Sequence, residues 1–178
     1  LSTGNTQYDG YLQQGYYFTP YHTEPANTIK DGHLRLGARI DVSNQWQLAP
    51  YTEYGQHRWL RTLTQYQETF THNNLSFGVL TQYQPVKKWQ LQLDVATGQI
   101  KNAHINIPNL KFSASLGNER VTNLDMTVNY NFSQKLSVGL SGTYSEYRYG
   151  ASNVITGLQE PDSLSRQHTL AIQLAYLR

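Results

Sequence analysis

The sequence predicts an all-β chain, an eight-stranded antiparallel up-and-down β-barrel that crosses a membrane with its strands. Three observations predict it. Apolar and polar residues alternate in segments of about ten residues; short and long connections alternate along the chain; and aromatic residues gather at the ends of the apolar faces. Composition allows such a fold. Of 178 residues, 15% are charged, against roughly 25% in soluble domains. Gln, Asn, Ser, Thr and 14 tyrosines take their place. No run approaches the ~18 apolar residues of a membrane helix, but a barrel strand needs apolar residues only at alternate positions.

Several function classes fall away at this stage. The chain has no cysteine, so no disulfide framework or thiolate metal site is available. A net charge of +2 is too small to argue for nucleic acid. Leu1 opens no signal-peptide pattern, so the chain reads as a mature form or an excised domain, with residues 1–178 as one barrel.

Taken in order, the first strand is expected over residues 7–18, which are polar and tyrosine-rich, and it is placed by symmetry. In the second, Leu34, Leu36, Ala38, Ile40 and Val42 share one face and His33, Arg35, Gly37, Arg39 and Asp41 the other. The third, over 46–59, opens with Trp46 and Leu48, then meets Pro50, which cannot donate to a ladder and suggests a bulge. Leu75, Phe77, Val79, Thr81 and Tyr83 form the apolar face of the fourth, and Trp89, Leu91, Leu93 and Val95 that of the fifth. Leu124, Met126, Val128, Tyr130 and Phe132 mark the sixth, and Leu136, Val138 and Leu140 the seventh. Leu170, Ile172, Leu174 and Tyr176 close the chain.

Short links are expected at Ser43–Gln45, Gln84–Lys88 and Ser133–Lys135, and long ones at 19–31, 60–73, 101–119 and 150–167. Tight turns then lie on one side of the membrane and long loops on the other, with both chain ends on the short-turn side. Trp46, Tyr83, Trp89, Phe132 and Tyr176 form an aromatic belt at the short-turn ends; Tyr16, Phe18, Trp59, Phe70 and Tyr144 are expected to form a second near the loops. Leu136 to Tyr144 spans about 26 Å at ~3.3 Å per residue, or about 20 Å along the normal at a ~40° tilt, close to the ~25 Å apolar band of such barrels. A soluble barrel with its apolar face inward is the competing fold. Gly, Ser, Asn and Gln on the polar face suit a crowded interior better than a solvated surface.

With these strands and belts, the whole chain resembles the eight-stranded outer-membrane barrels of the OmpA, OmpX and opacity-protein type, in architecture and without a diagnostic motif. His168 to Arg178 is similar to the terminal strand read by the barrel assembly machinery, although Arg178 stands where an aromatic residue is usual and Tyr176 lies two before it. Tyr147-Arg148-Tyr149-Gly150-Ala151-Ser152 and Glu160-Pro161-Asp162-Ser163 resemble an ending common among barrels of this class. The resemblance implies an integral protein of the Gram-negative outer membrane.

If the apolar face meets lipid, then Arg35, Arg39, Asp41, Glu53, Asp94 and Asp125 point inward with His33 and His57 nearby, and must pair with one another. They form a polar plug or line a narrow conduit. Arg58, Arg120 and Arg148, with Arg61 and Arg166, concentrate near the loop ends, where they would meet the phosphates of lipopolysaccharide or simply be solvated. Catalytic patterns are poor. Asp162, Ser163, Ser165 and His168 approach one another only in sequence, and Glu68 with His72 lacks a nucleophile. The six histidines have no metal-ligand spacing and no phosphate loop is present, so no catalytic residue, cofactor or metal is expected.

The expected function is a surface-exposed structural or binding protein with specificity in its four loops, where Tyr21, Tyr66, Phe70, Ile105, Ile107 and Ile155 lie among polar residues. The alternatives are a narrow porin-like channel, the C-terminal part of a larger export barrel, and a lipid A-modifying enzyme or protease. The expected partners are outer-membrane lipid and lipopolysaccharide, the assembly machinery, and an extracellular ligand held by the loops.

Overall fold

In the computed structural model, which describes residues 2–5, 8–14, 17–23, 26–63, 66–155 and 157–176, with side chains from Ala26 onward, the alternation becomes two faces of one curled sheet. The strands are β1 (Ser2–Asn5), β2 (Tyr8–Gln14), β3 (Tyr17–Thr23), β4 (Ala26–Gly37), β5 (Ile40–Asp41), β6 (Trp46–Leu63), β7 (Tyr66–Val86), β8 (Trp89–Ile107), β9 (Phe112–Ser115), β10 (Gly117–Asn131), β11 (Leu136–Gly150) and β12 (Ser163–Tyr176). The sheet order is β1-β4-β6-β7-β8-β10-β11-β12, with β5 on β6 and β9 on β8, and every described pairing is antiparallel.

This is the up-and-down order that the sequence predicts, with two differences. Of the first strand expected over residues 7–18, the described residues lie in a separate hairpin, in which Tyr8–Gln14 pairs with Tyr17–Thr23, and residues 7, 15 and 16 lie outside the described ones. On the edge of β4 away from β6, the described partner is the four residues of β1, at Ala26–Ile29. Among the described residues the sheet is therefore open between β4 and β12, where a closed eight-stranded barrel was expected.

Strand length is the second difference. The segments 60–73 and 101–119, expected as loops, are mostly ladder: β6 and β7 stay paired from Trp46↔Tyr83 to Leu63↔Tyr66, and β8 folds back on β9 through a 3-10 turn at Pro108–Leu110. Asn102 adopts a left-handed φ of 53° where the β7–β8 register shifts. Asn tolerates that conformation better than most residues, and the extra residue makes a β-bulge. Buried positions on β8 run Asp94, Ala96 and Ile100 before it, then Ala103, Ile105 and Ile107 after it. The bulge has changed which parity faces inward.

Pro50 makes no bulge. It pairs in register with Val79, and its effect falls on the neighbouring strand instead. The β4 ladder breaks at Ala38 and Arg39, where Ala38 donates its N–H to the Pro50 carbonyl at 3.1 Å but Pro50 has no N–H to return. The register is the same on both sides of the break, Gly37↔Tyr51 and Ile40↔Leu48.

Candidate functional site

The convex face carries the apolar residues. Leu34, Leu36, Tyr54, Leu75, Phe77, Val79, Leu91, Leu93, Leu124, Met126, Leu140, Leu170 and Ile172 are all exposed there. Leu93 opposite Met126 and Leu140 opposite Ile172 continue this surface from strand to strand. Exposure on this scale, in one contiguous band, is far beyond the scattered apolar residues of a water-facing surface. At one end the belt of rings is present: Trp46 stacks on Tyr83 at 4.3 Å, and Tyr130 meets Trp89 and Phe132 edge-on at 4.9 Å each. Tyr176 is exposed on the same face, paired in register with Leu136.

The second belt needs correction. Trp59 and Phe70 face inward and are buried, stacked at 5.1 Å. Tyr144 does face outward, beside His168 at 5.1 Å, and Tyr54 joins it at the upper rim, unforeseen from sequence. Tyr16, and the side chain of Phe18, lie outside the described residues.

On the concave face the inward side chains form three tiers. In the lowest, Arg35 bonds to Glu53 and to Asp94, and the Tyr51 hydroxyl donates to Asp94 at 2.5 Å. The Arg35 guanidinium also sits 4.5 Å over the Tyr51 ring. Both carboxylates are buried, so each needs these partners. Asp125 pairs in register with Asp94 and lines, with Arg35 and Thr127, a polar cavity of about 270 Å³. The structure does not bring Arg39 and Asp41 to this network. They pair with each other at 2.9 Å, 64% and 61% exposed, beyond the break opposite Pro50.

The middle tier was only partly visible in the sequence. Asp31, His57 and His72 lie opposite one another on β4, β6 and β7. His57 Nδ1 is 2.5 Å from Asp31, its ring stacks on His72 at 4.7 Å and on Tyr147 at 4.8 Å, and His72 Nδ1 lies 3.0 Å from the Tyr149 hydroxyl. Sequence alone sets His57 near the inward charges and His72 beside Glu68. Their direct opposition at 57↔72 depends on a hairpin that was expected to be a loop.

The top tier is apolar. Trp59, Phe70, Ile100, Ile105, Ile107, Phe112, Val121 and Tyr149 form one buried cluster. Beside it Arg61 and Glu68 make an ion pair, each side chain 10% exposed. Arg61 therefore belongs to the interior and not to the outer rim. Glu68 is bound to Arg61 and not to His72.

Arg58, Arg120, Arg148 and Arg166 do lie on the outside. Lys30 stands directly opposite Arg58, and like charges so placed repel unless an anion intervenes. Arg148 and Arg166 share Glu146, at 2.9 and 3.0 Å. Asp162 accepts the Ala151 N–H at 2.5 Å. His168 stands on the outward face of β12 with Leu170, while Ser163 and Ser165 alternate onto the other face, so these residues do not converge on a nucleophilic site. Among the described residues no cluster of His, Asp and Glu could hold a metal ion.

No family model and no curated protein matches the chain. Among solved structures it is similar to OmpT, folded in vitro, an outer membrane protein of Vibrio cholerae, at 10% identity and a TM-score of 0.39, over 98% of this chain and 49% of that one. The chain spans about half the length of that protein.

Proposed function

We propose that the chain builds the wall of a β-barrel in the bacterial outer membrane and acts at the cell surface as a structural and binding protein through the segments above the bilayer. One observation carries this reading: the continuous apolar convex face, bounded at its lower end by the Trp46, Tyr83, Trp89, Phe132 and Tyr176 belt. A lipid phase satisfies such a face and water does not. Arg58, Arg120 and Arg148, just above the band, suit the phosphates of lipopolysaccharide. The β6–β7 and β8–β10 extensions and the segment 151–162 are the surfaces for an extracellular ligand, and the barrel assembly machinery is the partner in biogenesis. This reading assigns the chain no catalytic role.

The polar cavity beside Arg35, Asp94 and Asp125 favours a second reading, a narrow conduit for small solutes. Two tiers of packed rings above the cavity weigh against it. Brominated lipid should quench the fluorescence of Trp46 and Trp89 in the refolded chain, and unquenched spectra would overturn the membrane reading. Conductance in a planar bilayer separates the two functions: a silent membrane fits the occluded interior, and discrete steps fit the conduit.

A further inference from the structure

Accepting the membrane reading, the open side of the sheet poses a problem of direction. From β4 to β12 there are six antiparallel steps, through β6, β7, β8, β10 and β11. The two edge strands therefore run the same way. They cannot close on each other antiparallel. A second copy in the same membrane orientation offers only edges of that same direction, so it cannot close the sheet antiparallel either. Yet the edges lie within the apolar band, where Leu34, Leu36, Leu170 and Ile172 are 74–80% exposed, against 41–42% for the mid-sheet Leu93 and Leu124. In hydrocarbon an unpaired edge leaves backbone N–H and C=O groups without partners, which lipid does not tolerate.

One described strand already has the required direction. β1 runs antiparallel to β4 and hence to β12, and its register descends: Asn5↔Ala26, Gly4↔Asn27, Thr3↔Thr28, Ser2↔Ile29. Continued toward the N-terminal side, the same register sets further residues opposite Lys30 to Gly37, the stretch of β4 edge that has no described partner. The sheet curls back on itself, since His57 on β6 stacks on Tyr147 of β11 across the lumen. We propose that β1 is the outer tip of a full-length strand of the same polypeptide, entering from the N-terminal side of Ser2, which pairs with Lys30–Gly37 on one side and with β12 on the other. Its sequence must alternate, with apolar residues beside Leu34 and Leu36 on the lipid face and small or polar ones beside Arg35. The hairpin of β2 and β3, between β1 and β4, is then a surface loop.

Hydrogen–deuterium exchange in detergent micelles tests this. In the 178-residue chain, peptides covering Lys30–Gly37 and Ser163–Tyr176 should exchange at least tenfold faster than those of β7 and β8. In a longer product carrying the residues upstream of Leu1, both edges should slow to the rate of β7. A 178-residue chain that folds only when so lengthened supports the proposal equally. Slow exchange of both edges in the shorter chain, or edges that stay fast in the longer one, overturns it. Protection of residues 7–18 together with both edges overturns it as well, because the N-terminal segment itself would then fill the gap. Quenching of Trp46 and Trp89 by brominated lipid keeps the two ideas apart: quenching with slow edges refutes only the completing strand, whereas absent quenching refutes the membrane reading on which it rests.

Discussion

The ring of Tyr51 lies over Gly78 of the neighbouring strand so closely that a β-carbon there would overlap it. That contact aims the hydroxyl at Asp94 and offers the ring to Arg35. Gly78→Val should expel the ring and cost about 1–3 kcal/mol, as overpacking does. Tyr51→Phe keeps the packing and loses only the bond to a carboxylate, about 1.5–3 kcal/mol. Thermal midpoints in detergent compare the two, and an unchanged midpoint for Gly78→Val would show that the ring lies elsewhere.

Arg61 and Glu68 form the most enclosed ion pair described for the upper half of the sheet. Arg61→Leu strands a buried carboxylate and should cost about 3–5 kcal/mol. Adding Glu68→Leu should recover most of the loss, because two apolar residues then extend the cluster around Trp59 and Phe70. A double variant as weak as the single one would mean that the pair contributes by more than mutual neutralisation.

Glu160, in the segment between β11 and β12, gives the fold a pH dependence. Burial, and then Glu68, raise it to about 7, so it holds its proton in the folded state. Stability should fall as pH rises from 4.5 to about 7, and level off above. Unfolding curves of Glu160→Gln should lose this slope. If the variant keeps the parent slope, Glu160 is not its source.

Leu93 lies mid-sheet on the convex face. Leu93→Arg should cost about 2–4 kcal/mol if that face meets the middle of a bilayer, and within about 0.5 kcal/mol if it meets water. Refolding into vesicles against urea measures the difference.

The lower half of this molecule was legible in the sequence and the upper half was not, for one physical reason. From Leu34 to Val42, or Trp89 to Val95, apolar residues keep one parity, and the exposed face follows it. On β6 the outward residues Trp46, Leu48 and Tyr54 are even-numbered, and the buried Trp59 and Leu63 are odd. The change of parity looks like the end of a strand, yet the backbone continues and only the side that must be dry has changed. On β8 the bulge at Asn102 adds a second inversion, hiding Ala103, Ile105 and Ile107 within an expected loop. The charges followed the same rule. Arg35, Glu53 and Asp94 share the face that alternation gives them and lie in contact, but Arg39 and Asp41 lie beyond a break caused by a proline on another strand, a through-space effect that no local pattern contains.

That inversion gives the sheet two separate sources of cohesion along the same strands. Below Tyr54 the apolar side chains face outward; if they meet lipid as proposed, it offers them nearly what a protein interior would, and solvent entropy contributes little to holding them. Above it, Phe70, Ile100 and Val121 are sealed from water inside the curl, and the heat-capacity signature of apolar hydration belongs to them. Chilling should therefore loosen the cap before the base, while stripping lipid should loosen the base before the cap. A single chain would carry two distinct breaking points, one governed by temperature and one by its membrane.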